Sequence, residues 1–378
     1  MKSISVYLLA IICLFGCNQS TTEKMEIEES QSYSFLVGTY PENPSQGIYK
    51  LEFSPTENTL KGTLLLDSIQ NPSFVLAKSD NSRFFSVEEI ASEQGGNVVM
   101  LGGSGYPLET LFTAPTVGSA PCYLALSKDE KWLVVGNYTG GNFSVFSAER
   151  DSLRLVQTLS HSGKSVNTAR QEAPHVHSTV FSPNGKYLMV ADLGTDKIYQ
   201  YEFNPSEEKP LELKRELNME PGDGPRHSVF SPSGEDYVVL LELTGAINIY
   251  SFDGDEFAFK QRESIVEEDF TGEHGAAEIR FSPEGQYLYT SNRGDDNSIA
   301  VFSKNGNGDY ERIQIIKSGG IKPRNFIITR DGEYLLSAHE TSNDIIVFKR
   351  DTKTGLLSQS DLRTQINSPV YLFETTSY

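Results

Sequence analysis

The sequence predicts an all-β fold, a seven-bladed β-propeller whose ring is closed by strands from both termini. Three observations carry this. The first is a recurring phrase in which a Ser or Thr opens a turn and an apolar run follows: SDNSRFF, SKDEKWLVV, SPNGKYLMV, SPSGEDYVV, SPEGQYLYT and TRDGEYLLS. The opening residues Ser79, Ser127, Ser182, Ser231, Ser282 and Thr329 lie 48, 55, 49, 51 and 47 residues apart. Periods of this length built from short strands mark four-stranded propeller blades, which must stack because one sheet cannot bury both faces. The second is the stretch from Pro174 to Phe203, which reads as three strands, HVHSTVF, KYLMVADL and KIYQYEF, separated by SPNG and GTD. The third is at the ends. FLVGTY (35–40) matches the second-strand run LVVGNY (133–138), GIYKLEF (47–53) follows as a third strand, and SPVYLF (368–373) resembles the first-strand run APCYLAL (120–126). Six phrases plus a blade shared by the two ends give seven, and a closed ring leaves no free edge strand. No long run shows the period-3.6 apolar spacing of helices.

Taken in order, residues 1–17 read as a targeting segment. Lys2 supplies charge, Ile4 to Phe15 is mostly apolar, and the run is too short to span a bilayer. It ends in Leu14-Phe15-Gly16-Cys17, which resembles the lipobox of bacterial lipoproteins. That resemblance implies lipid on Cys17, export, and anchoring to a bacterial membrane on its periplasmic or cell-surface side. The alternative is an ordinary secretory signal with an incidental Cys. Residues 18–31 are polar and read as a tether, so the propeller occupies 32–378. Cys13 leaves with the signal and Cys17 carries lipid, which leaves Cys122 alone and excludes a disulfide framework within one chain.

The net charge of −19 argues against nucleic acid as a partner. It leaves room for an anionic small molecule in a local cationic pocket. The acidic, Gly-containing loops 253–256 and 305–309 do not fit a twelve-residue calcium loop and read as hairpin turns. Residues 163–173, GKSVNTARQEA, form a long insertion before the fourth blade.

Aligning the phrases on their opening residue brings out two columns. Five residues before it lie Cys122, His177, Arg226, Ala277 and Arg324, with Ser73 or Phe74 in an earlier blade. Eleven residues after it lie Tyr138, Leu193, Glu242, Arg293 and Glu340, with Tyr40 in the first blade. The columns sit at the start of the first strand and the end of the second, hence at one end of each antiparallel hairpin. They should meet around one mouth of the channel, joined by His175 two residues from His177. Charges placed where apolar residues would suffice need a ligand or a partner to offset their desolvation. A ring of structural ion pairs is the plain alternative.

Three arginines and one or two histidines favour a carboxylate or phosphate ligand. Glu242 or His177 could act as a base on water or on a carbon acid, and an arginine could stabilise an oxyanion. That chemistry suits lactone hydrolysis, and equally lactone formation or isomerisation. The sequence has no Gly-x-Ser-x-Gly elbow, no His-Glu-x-x-His and no phosphate-binding Gly-rich loop before a helix. His175 and His177 lack a sequence partner that would complete a metal site, so no metal is expected.

The runs PHVHSTVFSPNGKYLMVADLGTDKIYQY, GDGPRHSVFSPSG, EIRFSPEGQYLYTSNRGDDNSIAVF and KPRNFIITRDGEYLLSAHETSNDIIVF resemble the propeller lactonases. This family includes bacterial 6-phosphogluconolactonase and 3-carboxy-cis,cis-muconate lactonizing enzyme. The resemblance covers about Ser32 to the end and implies a site at the channel mouth without a cofactor. It places family site residues on His177, Arg226, Glu242 and Arg293, although Leu241 stands where the family usually has Asn. It implies that Glu242 and His177 handle protons while Arg226 and Arg293 hold the anionic group and the oxyanion. His175, Arg324, Tyr138 and Glu340 are expected to help bind. A cycloisomerase, or a non-catalytic propeller that binds a glycan or protein, are the other readings.

Overall fold

The computed structural model describes residues 31–40, 47–66, 68–103, 107–149 and 151–375. The expected targeting segment with Cys17, and the tether apart from Gln31, lie outside the described residues. Gln31 itself belongs to the domain, since its side chain bonds Asp331 at 2.8 Å.

Among the described residues, 28 strands form seven four-stranded sheets. Blade 1 takes its innermost strand, Pro369–Thr375, from the C-terminus and the outer three, Tyr33–Thr39, Ile48–Ser54 and Thr59–Leu66, from the N-terminus. The ring therefore closes as the sequence predicts. Blades 2 to 7 begin with the inner strands Val75–Ala77, Pro121–Leu126, Val176–Phe181, Pro225–Phe230, Ala276–Phe281 and Pro323–Ile328. These pack on one another around the axis.

The recurring phrase closes each inner hairpin chemically. Ser182 Oγ accepts from Tyr187 N at 2.9 Å and donates to Asn184 Oδ1 at 2.7 Å, while Ser182 N donates to Tyr187 O at 2.8 Å. Thr329 repeats the pattern with Tyr334 and Asp331. Gly185 takes φ 70° in this turn, a conformation that a side chain would strain. Blade 2 departs from the expected alignment. Its turn bonds start at Lys78, which donates to Arg83 O and accepts from Asn81 N, so Lys78 and not Ser79 occupies the opening position. The phrase is read one residue late there because Lys replaces the usual hydroxyl.

The core lies between blades. Val238, Leu240, Ile247 and Ile249 of blade 5 pack on Ile279, Leu288, Ala300 and Phe302 of blade 6. Burial of each such side chain is worth roughly 1.5–3 kcal/mol. Polar ties cross the same seam: buried Asp236 of blade 5 pairs with Lys304 of blade 6 at 2.6 Å and Tyr310 of blade 6 at 3.0 Å, as well as with Lys260 of its own blade at 2.9 Å. Outermost strands such as Leu357–Gln365 alternate exposed and covered residues, as a half-solvated strand should. The acidic loops are turns: Asp253 Oδ1 accepts from the amides of Asp255 and Glu256.

Candidate active site

Both sequence columns become geometry through one repeated device. In five blades the pairing of inner strand with second strand skips a residue, and the skipped residues are Cys122, His177, Arg226, Arg324 and, in blade 1, Val370. Blade 6 skips Ala277 together with Glu278. A bulged residue has no ladder partner and its side chain is re-aimed. Here all five single-residue bulges line one small cavity on the axis. The second column is fixed by a backbone bond from each of its residues to the carbonyl two places before the bulge. It runs 2.8 Å from Tyr138 N, Glu242 N and Arg293 N to the carbonyls of Ala120, Gly224 and Gly275, and 3.0 Å from Glu340 N to Lys322 O. In blade 2 the same bond runs from Glu89 N to Asn71 O at 3.2 Å, which makes Glu89 the seventh member of that ring and Ser73 the first-column residue.

Glu242 is the electrostatic centre. Its Oε2 lies 2.9 Å from Arg226 Nε and 3.0 Å from Arg293 Nη2, and its Oε1 accepts from Arg170 Nη2 at 2.5 Å. Burial opposes the carboxylate charge, but Arg293, Arg226 and Arg170 outweigh it and hold the carboxyl at about 2. Arg226 is buried, with 2% of its side chain exposed. Its Nη1 reaches Ala277 O and, at 3.0 Å, His227 Nε2. His227 in turn lies 3.4 Å from Glu278. Arg293 is held by Gly275 O at 3.1 Å. Arg324 donates to the Tyr40 hydroxyl at 3.0 Å, stacks over that ring at 4.9 Å and lies 3.6 Å from Glu340.

Two spaces meet these residues. An open pocket of about 530 Å³ is lined by Arg170, Glu242, Arg293, Lys322, Arg324 and Glu340, among others. The axial cavity, about 20 Å³, lies among Tyr40, Glu89, Cys122, His177, Arg226 and Arg324, so Arg324 borders both. Burial, then Arg226 and His227, hold the His177 imidazole well below its ordinary pKa, and the ring is neutral at physiological pH. No group of three His, Cys, Asp or Glu among the described residues is arranged to hold a metal.

The family described as "Lactonase, 7-bladed beta-propeller" matches residues 34–373. The chain belongs to the propeller lactonase family. The 6-phosphogluconolactonase of Bacillus subtilis is 29% identical over 343 residues, 89% of this chain and 97% of that protein. An uncharacterised protein of Staphylococcus saprophyticus is 31% identical over 325 residues, 84% of this chain and 92% of the other. Among solved structures, the Pseudomonas aeruginosa periplasmic gluconolactonase superposes with a TM-score of 0.86 at 30% identity, covering 92% of this chain and 99% of that one.

Within this lactonase fold the expected residues separate into three places. Glu242, Arg293, Arg324 and Glu340 border the open pocket. His177 and Arg226 lie behind it on the axial cavity, so Arg226 does not face the open space where it was expected to hold the anionic group. Tyr138 and His175 line neither space: their rings stack at 4.5 Å, Tyr138 also packs on the His177 ring at 5.3 Å, and His175 Nε2 lies 3.2 Å from Glu172. The mouth is open, yet Arg226 and Arg293 are both engaged by Glu242, so features of the open-site and ion-pair readings coexist. Sequence reasoning missed Arg170 and Glu89. Arg170 sits on the 163–173 insertion, which Gln171 fastens by donating to Leu193 O at 2.9 Å and Asp196 Oδ1 at 2.7 Å. Its signal was a basic residue in a long loop beside a predicted site. Glu89 falls exactly on the second column once Lys78 is taken as the start of the phrase.

Proposed function

We propose that this protein hydrolyses a sugar lactone carrying an anionic group, in the manner of the 6-phosphogluconolactonase type, and works outside the cytoplasm, anchored through lipid on Cys17. The observation that carries the reading is the open pocket of about 530 Å³, where Arg170, Arg293, Lys322 and Arg324 stand among Glu242, Glu273, Asp295 and Glu340, so that an anion taking the place of a carboxylate meets ready guanidinium groups. That volume suits a small ligand, and guanidinium groups bind phosphate or carboxylate through paired hydrogen bonds. Family membership and relatives named 6-phosphogluconolactonase and gluconolactonase support the reaction class. The relative named periplasmic, with the Leu14–Cys17 lipobox-like run, supports export.

In this reading a substrate anion exchanges with Glu242 for its arginines. Arg170 moves first, because 43% of its side chain is exposed against 2% for Arg226. The freed guanidinium groups of Arg170 and Arg293 then face the anionic group and the oxyanion that forms when the lactone carbonyl is attacked. Glu242, held so far below neutrality, is a weak base while the arginines surround it, and its main task is to keep them in register. The neutral His177 is available to the attacking water.

The test is acid release from 6-phosphogluconolactone and from unphosphorylated gluconolactone, corrected for spontaneous opening, with Arg293→Ala beside the wild type. Acceleration that the folded variant loses supports the reading. No acceleration of either lactone removes it and leaves binding of a glycan or protein to be examined. For the anchor, Cys17→Ser should move the protein from the membrane to the soluble fraction and abolish fatty-acid labelling; retention of label would refute Cys17 as the lipidated residue.

A further inference from the structure

Resting on the lactone-hydrolase reading, we propose that Glu89 is the carboxylate that takes the proton from the attacking water, and that His177 Nδ1 holds this water in the axial cavity. Four observations converge. The cavity of about 20 Å³ has room for one water molecule. His177, 7% exposed, lines this cavity and has a buried Nδ1 with no hydrogen-bond partner among the described residues, a group that one water in the cavity would satisfy. Glu89 borders the same cavity, and its side-chain donors among the described residues, the Tyr40 hydroxyl at 2.5 Å and the Ser73 hydroxyl, both go to Oε2 and leave Oε1 without a donor from those residues. Finally, no arginine among the described residues forms an ion pair with Glu89. Arg324 reaches it through the Tyr40 hydroxyl, which accepts from the guanidinium at 3.0 Å and donates to the carboxylate.

The contrast with Glu242 divides the labour. Three arginines hold Glu242 in the charged form. Burial raises the Glu89 pKa, and Arg324, Ser73 and Tyr40 offset only part of that, so Glu89 is the more basic carboxylate. Carboxylates pushed apart in this way take different roles. The charged and titratable groups around this cavity with Glu89 are Tyr40, Arg324, Arg226, Cys122, His177, His227 and Tyr371. The Cys122 thiol is itself pushed up by burial and stays protonated.

The step balances without a co-reactant. The lactone carbonyl meets this water beside Arg324, the residue that borders both the open pocket and the axial cavity, and the water oxygen bonds to the carbonyl carbon as its proton passes to Glu89. The bond from that carbon to the ring oxygen then breaks with its electron pair. The ring oxygen takes the proton from Glu89 and becomes the hydroxyl of the open-chain acid.

The experiment uses the full chain and 6-phosphogluconolactone, with rates measured from pH 5 to 8. Glu89→Gln should lower kcat by about 10²- to 10⁴-fold, the usual worth of a general base, with KM within about threefold of wild type. Tyr40→Phe removes one donor to the carboxylate, so the acid limb of the kcat/KM profile should move to higher pH. A purely structural Tyr40 would leave that limb in place. A folded Glu89→Gln protein with near-normal kcat, or an unmoved limb in Tyr40→Phe, overturns the assignment while the lactonase reading stands. Absence of wild-type turnover overturns both.

Discussion

Replacing Glu242 with Gln removes the charge on which three arginines converge while nearly preserving shape. The cost can be worked from the site. Holding the carboxyl at about 2 rather than at its ordinary 4.5 corresponds to about 3 kcal/mol in favour of the charged native form at neutral pH. Removing one partner of a buried ion pair falls in the same range, roughly 3–5 kcal/mol, because the remaining charge is left uncompensated. Here that charge is Arg226, with 2% of its side chain exposed. Urea unfolding of the variant should show a loss of about 3 kcal/mol, which at a slope near 3 kcal/mol/M moves the midpoint down by about 1 M. Because the variant leaves a cationic hole, millimolar phosphate should raise its midpoint more than that of the wild type. A midpoint within about 0.2 M of wild type, or equal responses to phosphate, would refute the claim that Glu242 neutralises the arginines.

The pH dependence follows from the same group. Its folded pKa lies below the unfolded value, so its stabilisation is present above about 4.5 and is lost as pH falls toward about 2. The stability gap between wild type and Glu242→Gln should therefore shrink over that interval in acid titrations, and a constant gap would contradict the assignment. Arg170→Gln removes an exposed charge-assisted contact, so the KM for the phosphorylated lactone should rise about tenfold and that for the unphosphorylated one by less than about twofold. Equal changes would show that Arg170 does not meet the phosphate. Gly294→Ala would set a Cβ 1.7 Å from the Glu273 carbonyl oxygen, so the loop beside Arg293 must shift. A thermal melt should show destabilisation of about 2 kcal/mol or more, and an unchanged melt would show that the loop yields freely.

Much of the fold was legible because its cause is local and repeated. The Ser or Thr opening the turn in five of the blades is visible in the sequence, and so is the match between SPVYLF and APCYLAL that closes the ring. The two site columns were legible for the same reason, since the distance from the turn to each end of its hairpin is nearly constant. What the sequence does not display is the bulge. His177, Arg226 and Arg324 are each an extra residue in the pairing, and a skipped ladder partner leaves no mark in composition or spacing. Glu89 was hidden by one substitution, since Lys78 makes the backbone bonds of the turn without the hydroxyl by which the phrase is recognised. Arg170 was hidden because an insertion has no repeat to align with. The division between an open pocket and a buried axial cavity depends on how side chains from all seven blades pack together, which no single repeat encodes.

The central claim is that the arginines at the mouth read an anionic group that the sugar carries beyond the carboxyl of the lactone itself. A calorimetric titration of the wild-type protein with 6-phosphogluconate and with gluconate tests it most directly. Saturable binding of 6-phosphogluconate is expected, at least about tenfold tighter than gluconate and weakened by salt, as a charge-assisted phosphate contact requires. Equal affinities for the two acids, or no saturable binding of either, would contradict it.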